Sequence, residues 1–108
     1  MAAAAILVLT HLPDRESALA LARSLLADRL AACVNVGAEV ESMYHWRGRI
    51  ETAHEVPVVI KTLGDRYAAV EAAVRAHHPY ELPEIVAVPV IDGYAPYLDW
   101  IAAESTAA

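Results

Sequence analysis

The chain predicts an α+β sandwich in the order β-α-β-β-α-β, followed by a short terminal helix. Three observations carry that prediction. Runs of branched apolar residues recur at Ile6–Leu9, Val56–Ile60 and Ile85–Ile91, with the length and composition of buried strands. Two stretches with apolar residues at helical spacing separate these runs. Between the helical stretches, Trp46-Arg47-Gly48-Arg49 offers a tight turn joining two strand-like segments.

Residues Ala4–Leu9 are continuously apolar and end at Thr10-His11-Leu12-Pro13, which predicts a first buried strand. Asp14 is placed to cap a helix, and Glu16 suits its first turn. Ala18, Leu21, Ala22, Leu25 and Leu26 then form an apolar stripe, so a helix should run from Asp14 to about Arg29. Ala32, Val34 and Val36 alternate with Cys33 and Asn35, as a strand requires. Gly37 interrupts this strand as a bulge would, and it resumes at Val40–Tyr44. Gly48 supplies a positive φ for the hairpin turn, and Glu51–Thr62 returns as a long strand. Gly64-Asp65 begins a second helix with Tyr67, Val70, Val74 and His77 on one face, and Pro79 stops it. Ile85–Ile91 is the last strand and Asp92-Gly93 turns the chain. Pro96 suits the first turn of a helix over Tyr94 to about Glu104, after which Ser105–Ala108 should fray. Two crossovers with a hairpin between them give the split β-α-β, ferredoxin-like sandwich, both helices lying on one face of the sheet.

Length and composition narrow the function classes. A chain of 108 residues makes one domain, spanning 1–108. Its 57% hydrophobic content rules out disorder, although alanine inflates it. Cys33 is the only cysteine, so a disulfide scaffold is excluded and a reducing compartment fits. The net charge of −6, with few basic residues, argues against nucleic acid as a partner. The apolar run Met1–Leu9 is too short to cross a bilayer and has no basic region ahead of it, so neither a membrane span nor a secretory signal is expected.

The strands pose a problem for a two-layer sandwich. They are apolar on both faces, whereas a sheet with helices on one side should alternate. The second face would expose several Val, Leu and Ile side chains, each worth ~1.5–3 kcal/mol when buried. Soluble monomers rarely leave such a patch bare. Either further copies of the chain cover it, or the terminal helix with Tyr97, Trp100 and Ile101 folds across it. One short helix is too small for a whole face, so an oligomer is expected.

Several residues could carry chemistry. The segment His77-His78-Pro79-Tyr80-Glu81-Leu82-Pro83-Glu84 gathers imidazoles, a phenol and carboxylates between a helix and a strand. Imidazole suits Cu, Zn or Ni, and a carboxylate can complete a mixed site. Adjacent histidines diverge on regular backbone, so both reach one metal only where the helix has ended. The bland alternative is a proline-braced loop. Cys33 could be a ligand or nucleophile, but at the start of an apolar strand it reads as structural. Lys61, the only lysine, could bind an anion or simply reach water. Tyr44, His45, Trp46, Arg47 and Arg49 cluster at the hairpin tip. They would either pin the turn or anchor a neighbouring subunit. Glu39, Glu41, Glu51 and Glu55 flank the hairpin without forming an assignable acid–base pair.

Five motifs occur in order: Leu30-Ala31-Ala32-Cys33-Val34-Asn35, Tyr44-x-Trp46-x-Gly48, Ile60-Lys61-Thr62, His77-His78-Pro79-Tyr80 with Pro83-Glu84-Ile85, and Tyr97-Leu98-x-Trp100. In these the chain resembles the CutA divalent-cation tolerance family from Ile6 to about Ile101. The resemblance implies a cytoplasmic homotrimer of ferredoxin-like subunits. It also implies a link to tolerance of copper and other divalent cations, with no catalytic activity and no organic cofactor. Copper ligation would fall on His77 and His78; by the chemistry of mixed sites, Glu81 or Glu84 is expected to complete it. A third ligand, a Cys in some members, would fall on Thr10, which is a poor copper ligand although His11 follows it. Lys61, Tyr80, Glu84 and Tyr44 would line a cleft between subunits, and Trp46 and Trp100 would make oligomer contacts. The trimers are similar to those of PII signalling proteins. The alternative function is therefore a module that binds a small anionic effector between subunits.

Overall fold

The computed structural model describes residues 4–106. The elements are β1 (Ala5–Leu12), α1 (Arg15–Ala27), β2 (Cys33–Val36), β3 (Val40–Trp46), β4 (Arg49–Leu63), α2 (Tyr67–His77), β5 (Val86–Pro89) and α3 (Ala95–Glu104). The sheet order is β2-β4-β1-β5, every neighbouring pair is antiparallel, and β3 pairs with the other half of β4. This is the expected sandwich, with its second strand broken into β2 and β3. Val36 lies opposite Val58 and Val40 opposite Glu55, so residues 37–39 face only residues 56–57 and one residue is extra. Gly37 makes the bulge possible. Its amide donates to the Pro57 carbonyl at 2.9 Å, and a Cβ there would meet Pro57 Cγ at 2.9 Å. Beyond the bulge, β3 and β4 run on as a two-stranded ribbon, which gives the molecule its 45 Å long axis.

Alternation divides the sheet cleanly. Val8 and Leu12 of β1 and Val56, Val58 and Ile60 of β4 point to one face. They pack there on Leu21 and Leu25 of α1 and on Val70 and Val74 of α2. Thr10 shares this face at 1% exposure, and its Oγ1 has no hydrogen-bond partner. The Asp14 carboxylate caps α1 by accepting the Ser17 amide at 2.7 Å. A 3-10 turn at Gly64–Arg66 leads into α2, which begins slightly later than its sequence suggests. His78 leaves the helix in an extended conformation, as a residue preceding proline should.

The other face is only partly covered. Cross-strand rows run Cys33–Lys61–Leu7–Val88 and Asn35–Val59–Leu9–Val86. Val86 and Val88 remain 48% and 39% exposed. The third helix, α3, covers one end alone, where Ile101 packs on Ala5 and Leu63.

Two sequence expectations are corrected here. The last strand stops at Pro89, which has no amide to extend the ladder, and Ile91 is 93% exposed. The segment after α3 does not fray at Ser105 and Thr106. Arg29 Nε donates to the Thr106 carbonyl at 2.8 Å, Arg29 Nη2 to Ala103 at 3.2 Å, and Arg66 Nε to Ser105 at 2.8 Å. These donors satisfy carbonyls that a helix end leaves orphaned. Ala107 and Ala108 lie outside the described residues. Arg29 adopts φ 54° where a helix often ends in glycine. The amides of Arg29 and Leu30 return to Leu26 and Leu25, which closes α1 and aims the guanidinium at α3.

Candidate functional site

The open face changes character at the far end of β1. One row beyond Leu9, His11 stands opposite Pro57. Its Nδ1 lies 3.0 Å from Glu84 Oε1, on the segment leading into β5. Two residues before Pro57, Glu55 faces the same way and is 9% exposed. The ribbon and the loop after α2 flank this end and border an open cleft of about 400 Å³. His11 and Glu55 come from the sheet, Tyr44, His45 and Trp46 from the ribbon, and Tyr80, Glu81, Leu82 and Glu84 from the loop.

His78 holds that loop in place. Its ring is buried, and its Nε2 meets the His11 carbonyl. A carbonyl only accepts, so Nε2 carries the proton and Nδ1 is free to accept the Tyr80 amide, at 3.3 Å. The rings of His78 and Tyr80 pack with centroids 4.5 Å apart. The hairpin tip fixes the other side. Arg47 and Gly48 have φ values of 51° and 78°, as a two-residue turn between twisted strands requires. Arg47 then lies over the Trp46 ring, 5.3 Å from its centroid, and donates to Glu81 Oε2 at 3.0 Å. The ribbon is thereby tied to the loop. Burial pushes the Tyr80 phenol up to about 12, and the hydrogen bond and negative charge of Glu55 add to the effect.

The structure gathers some of the sequence candidates and separates others. Tyr44, Trp46, Tyr80, Glu81 and Glu84 line the cleft together. His77 sits exposed on the last turn of α2 with Nδ1 3.0 Å from the Ala73 carbonyl, whereas both nitrogens of His78 are engaged. Among the described residues, no group of three or more His, Cys, Asp or Glu side chains converges as a metal-binding set. Lys61 stands on the open face, donating to Tyr97 Oη at 3.4 Å, and Tyr97 stacks on Trp100 at 5.5 Å. Cys33 is half-buried directly opposite Lys61, with Sγ 3.8 Å from Asn35 Oδ1.

Two residues gain importance from the fold. In sequence, Glu55 was one of four hairpin acids, and His11 only the neighbour of Thr10. A signal for Glu55 existed in strand alternation, because it continues the face that holds Pro57 and Val59. The pairing of His11 with Glu84 spans 73 residues and leaves no local trace.

These features define a ferredoxin-like α+β sandwich with one half-bare apolar face and a polar cleft where that face ends. Residues 6–104 match the family model described as CutA1 divalent ion tolerance protein. The divalent-cation tolerance protein CutA of Yersinia pestis is 40% identical over 97 residues, which is 90% of this chain and 82% of that protein. The crystal structure of CutA1 from the psychrotrophic bacterium Shewanella sp. SIB1 superposes with a TM-score of 0.93 at 42% identity, covering 99% of this chain and 100% of that one. A CutA structure from Archaeoglobus fulgidus, described as periplasmic, gives 0.91 at 35% identity over 94% of this chain and 99% of that one. The chain belongs to the CutA1 divalent ion tolerance family. No helix among the described residues is long and apolar enough to cross a membrane.

Proposed function

We propose that the protein acts as a homotrimer in divalent-cation tolerance, taking up Cu(II) or a similar ion by binding rather than by catalysis. The observation that carries this reading is family membership across nearly the whole chain, in the same fold as CutA1 proteins. Self-assembly is supported by the open face, where Val86, Val88 and Trp100 remain exposed, a patch that soluble monomers rarely leave bare. Trp46 and Trp100 are the natural contacts, being large, amphipathic and partly exposed.

For the ion, the cleft rim offers an imidazole and a carboxylate at His11 and Glu84, with Glu81 nearby. His77 adds an imidazole on the exposed end of α2, while His78 serves by holding the loop that presents both carboxylates. The described residues of one chain do not supply a full converging set, so water or a neighbouring copy completes the coordination. A cytoplasmic setting agrees with the unpaired Cys33.

Titration calorimetry with Cu(II) near neutral pH tests the assignment. Combining His11→Ala with Glu84→Gln should weaken binding at least tenfold, and His77→Ala should weaken it less. Wild-type isotherms from all of these variants would overturn the ligand assignment.

A further inference from the structure

Part of the cleft is poorly suited to a metal ion. Its deep end presents the Glu55 carboxylate, 9% exposed, and no ion pair among the described residues engages it. Tyr44 and Tyr80 line the same cleft. Aromatic faces are weak partners for a strongly hydrated dication, which prefers oxygen and imidazole donors. They attract weakly hydrated organic cations through the ring quadrupole. A buried carboxylate without a countercharge is costly, so the site favours a ligand that brings one. Anions are disfavoured by Glu55, Glu81 and Glu84. The volume of about 400 Å³ is that of a small-molecule site.

The mouth of the same cleft already shows this recognition at work. The Arg47 guanidinium rests on the Trp46 ring at 5.3 Å and on Glu81 at 3.0 Å, an organic cation held between an aromatic face and a carboxylate. The deep end repeats the pairing with Glu55 and Tyr80, and no side chain of the described residues supplies the cation there.

We infer that the deep end of the cleft binds a small organic cation, a primary alkylammonium, with its charge on Glu55 and its alkyl body against Tyr44 and Tyr80. This goes beyond divalent-cation uptake and does not depend on it, because Glu55 is not among the residues proposed to hold the metal.

The experiment uses n-butylammonium as the probe and n-butanol as its uncharged counterpart, followed by NMR titration of the full chain at low salt. Butylammonium should shift the resonances of Tyr44 and Tyr80 saturably, and butanol should not. Glu55→Gln should lower butylammonium affinity at least tenfold while leaving the Cu(II) isotherm unchanged. Tyr44→Leu should lower it a few-fold. The charge-matched control Asp99→Asn, on an exposed position of α3, should have no effect. Circular dichroism of each variant confirms folding. Equal losses in Glu55→Gln and Asp99→Asn would reduce the effect to general attraction by an acidic protein and overturn the proposal. So would shifts scattered over the surface, or butanol binding as well as butylammonium.

Discussion

The two faces of the sheet are made from the same strands and are equally apolar in composition, yet they end in different states. On one, Val8, Leu12, Val58 and Ile60 vanish beneath two helices. On the other, Leu7, Leu9, Val59, Val86 and Val88 form rows that α3 covers only at one end. Strand alternation thus specifies that a side chain must leave water, and does not specify which molecule supplies the cover. The covered face is completed within the chain. The open face is mainly apolar for two rows, interrupted by Lys61 and Asn35, and then turns polar at His11, Glu84 and Glu55, so one continuous surface passes from an apolar face to a polar cleft.

The largest expected effect comes from breaking the open face. Leu9→Asp combined with Val88→Asp places charges where a single chain leaves them half in water, but where a trimer would bury them without partners. Sedimentation equilibrium should then give the mass of one chain in place of three, with the far-ultraviolet circular dichroism retained. A wild-type protein that already sediments as one chain would remove the distinction between a packing face and a free surface.

Next in size is the covered face. Leu21→Ala opens a cavity against β4 and α2 and should cost about 2–5 kcal/mol in chemical denaturation. The same loss should appear in the background of the open-face double variant, because this packing lies inside one chain. A cost under ~1 kcal/mol would mean that α1 does not seal the sheet as tightly as the structure shows.

Much of this contrast was legible in the sequence, for reasons that mark where legibility ends. The branched runs, the Asp14 cap, the Gly37 bulge and the Gly48 turn each act over a few residues, so the β-α-β-β-α-β order follows from local chemistry. The surplus of apolar strand faces was equally visible, because alternation is a property of consecutive residues. The cleft was visible only in pieces. Tyr80, Glu81 and Glu84 stand together in the chain, whereas Glu55 and His11 join them through strand register and a pairing 73 residues long. The double histidine was legible as a pair but not in its surroundings, for a related reason. Sequence shows two imidazoles side by side, but the His11 carbonyl and the Tyr80 amide that occupy His78 come from the fold. The ordered residues after α3 depended on Arg29 and Arg66, whose reach to the last carbonyls no local pattern reveals.

The smallest expected effect tests the polar end of the open face through Tyr80. Its phenol titrates near 12 in the folded protein, against an ordinary value near 10, because burial and the facing Glu55 carboxylate disfavour the phenolate. Below pH ~10 the phenol is protonated in both the folded and the unfolded chain, and its contribution to stability is fully present. Between pH ~10 and ~12 the unfolded chain loses the proton while the folded one keeps it, so stability falls as pH rises. Tyr80→Phe retains the ring against His78 and removes the titrating group, so its urea midpoint should fall less between pH 9 and pH 11.5 than that of the wild type. Tyr67 has a raised pKa too, through burial and Glu71, and it remains in both proteins. Part of the alkaline decline should therefore persist in the variant. Parallel declines in the two proteins would place the phenol in water rather than against Glu55. The polar end of the face would then be an ordinary wet edge, and the contrast between a half-covered apolar face and a polar cleft would lose its second half.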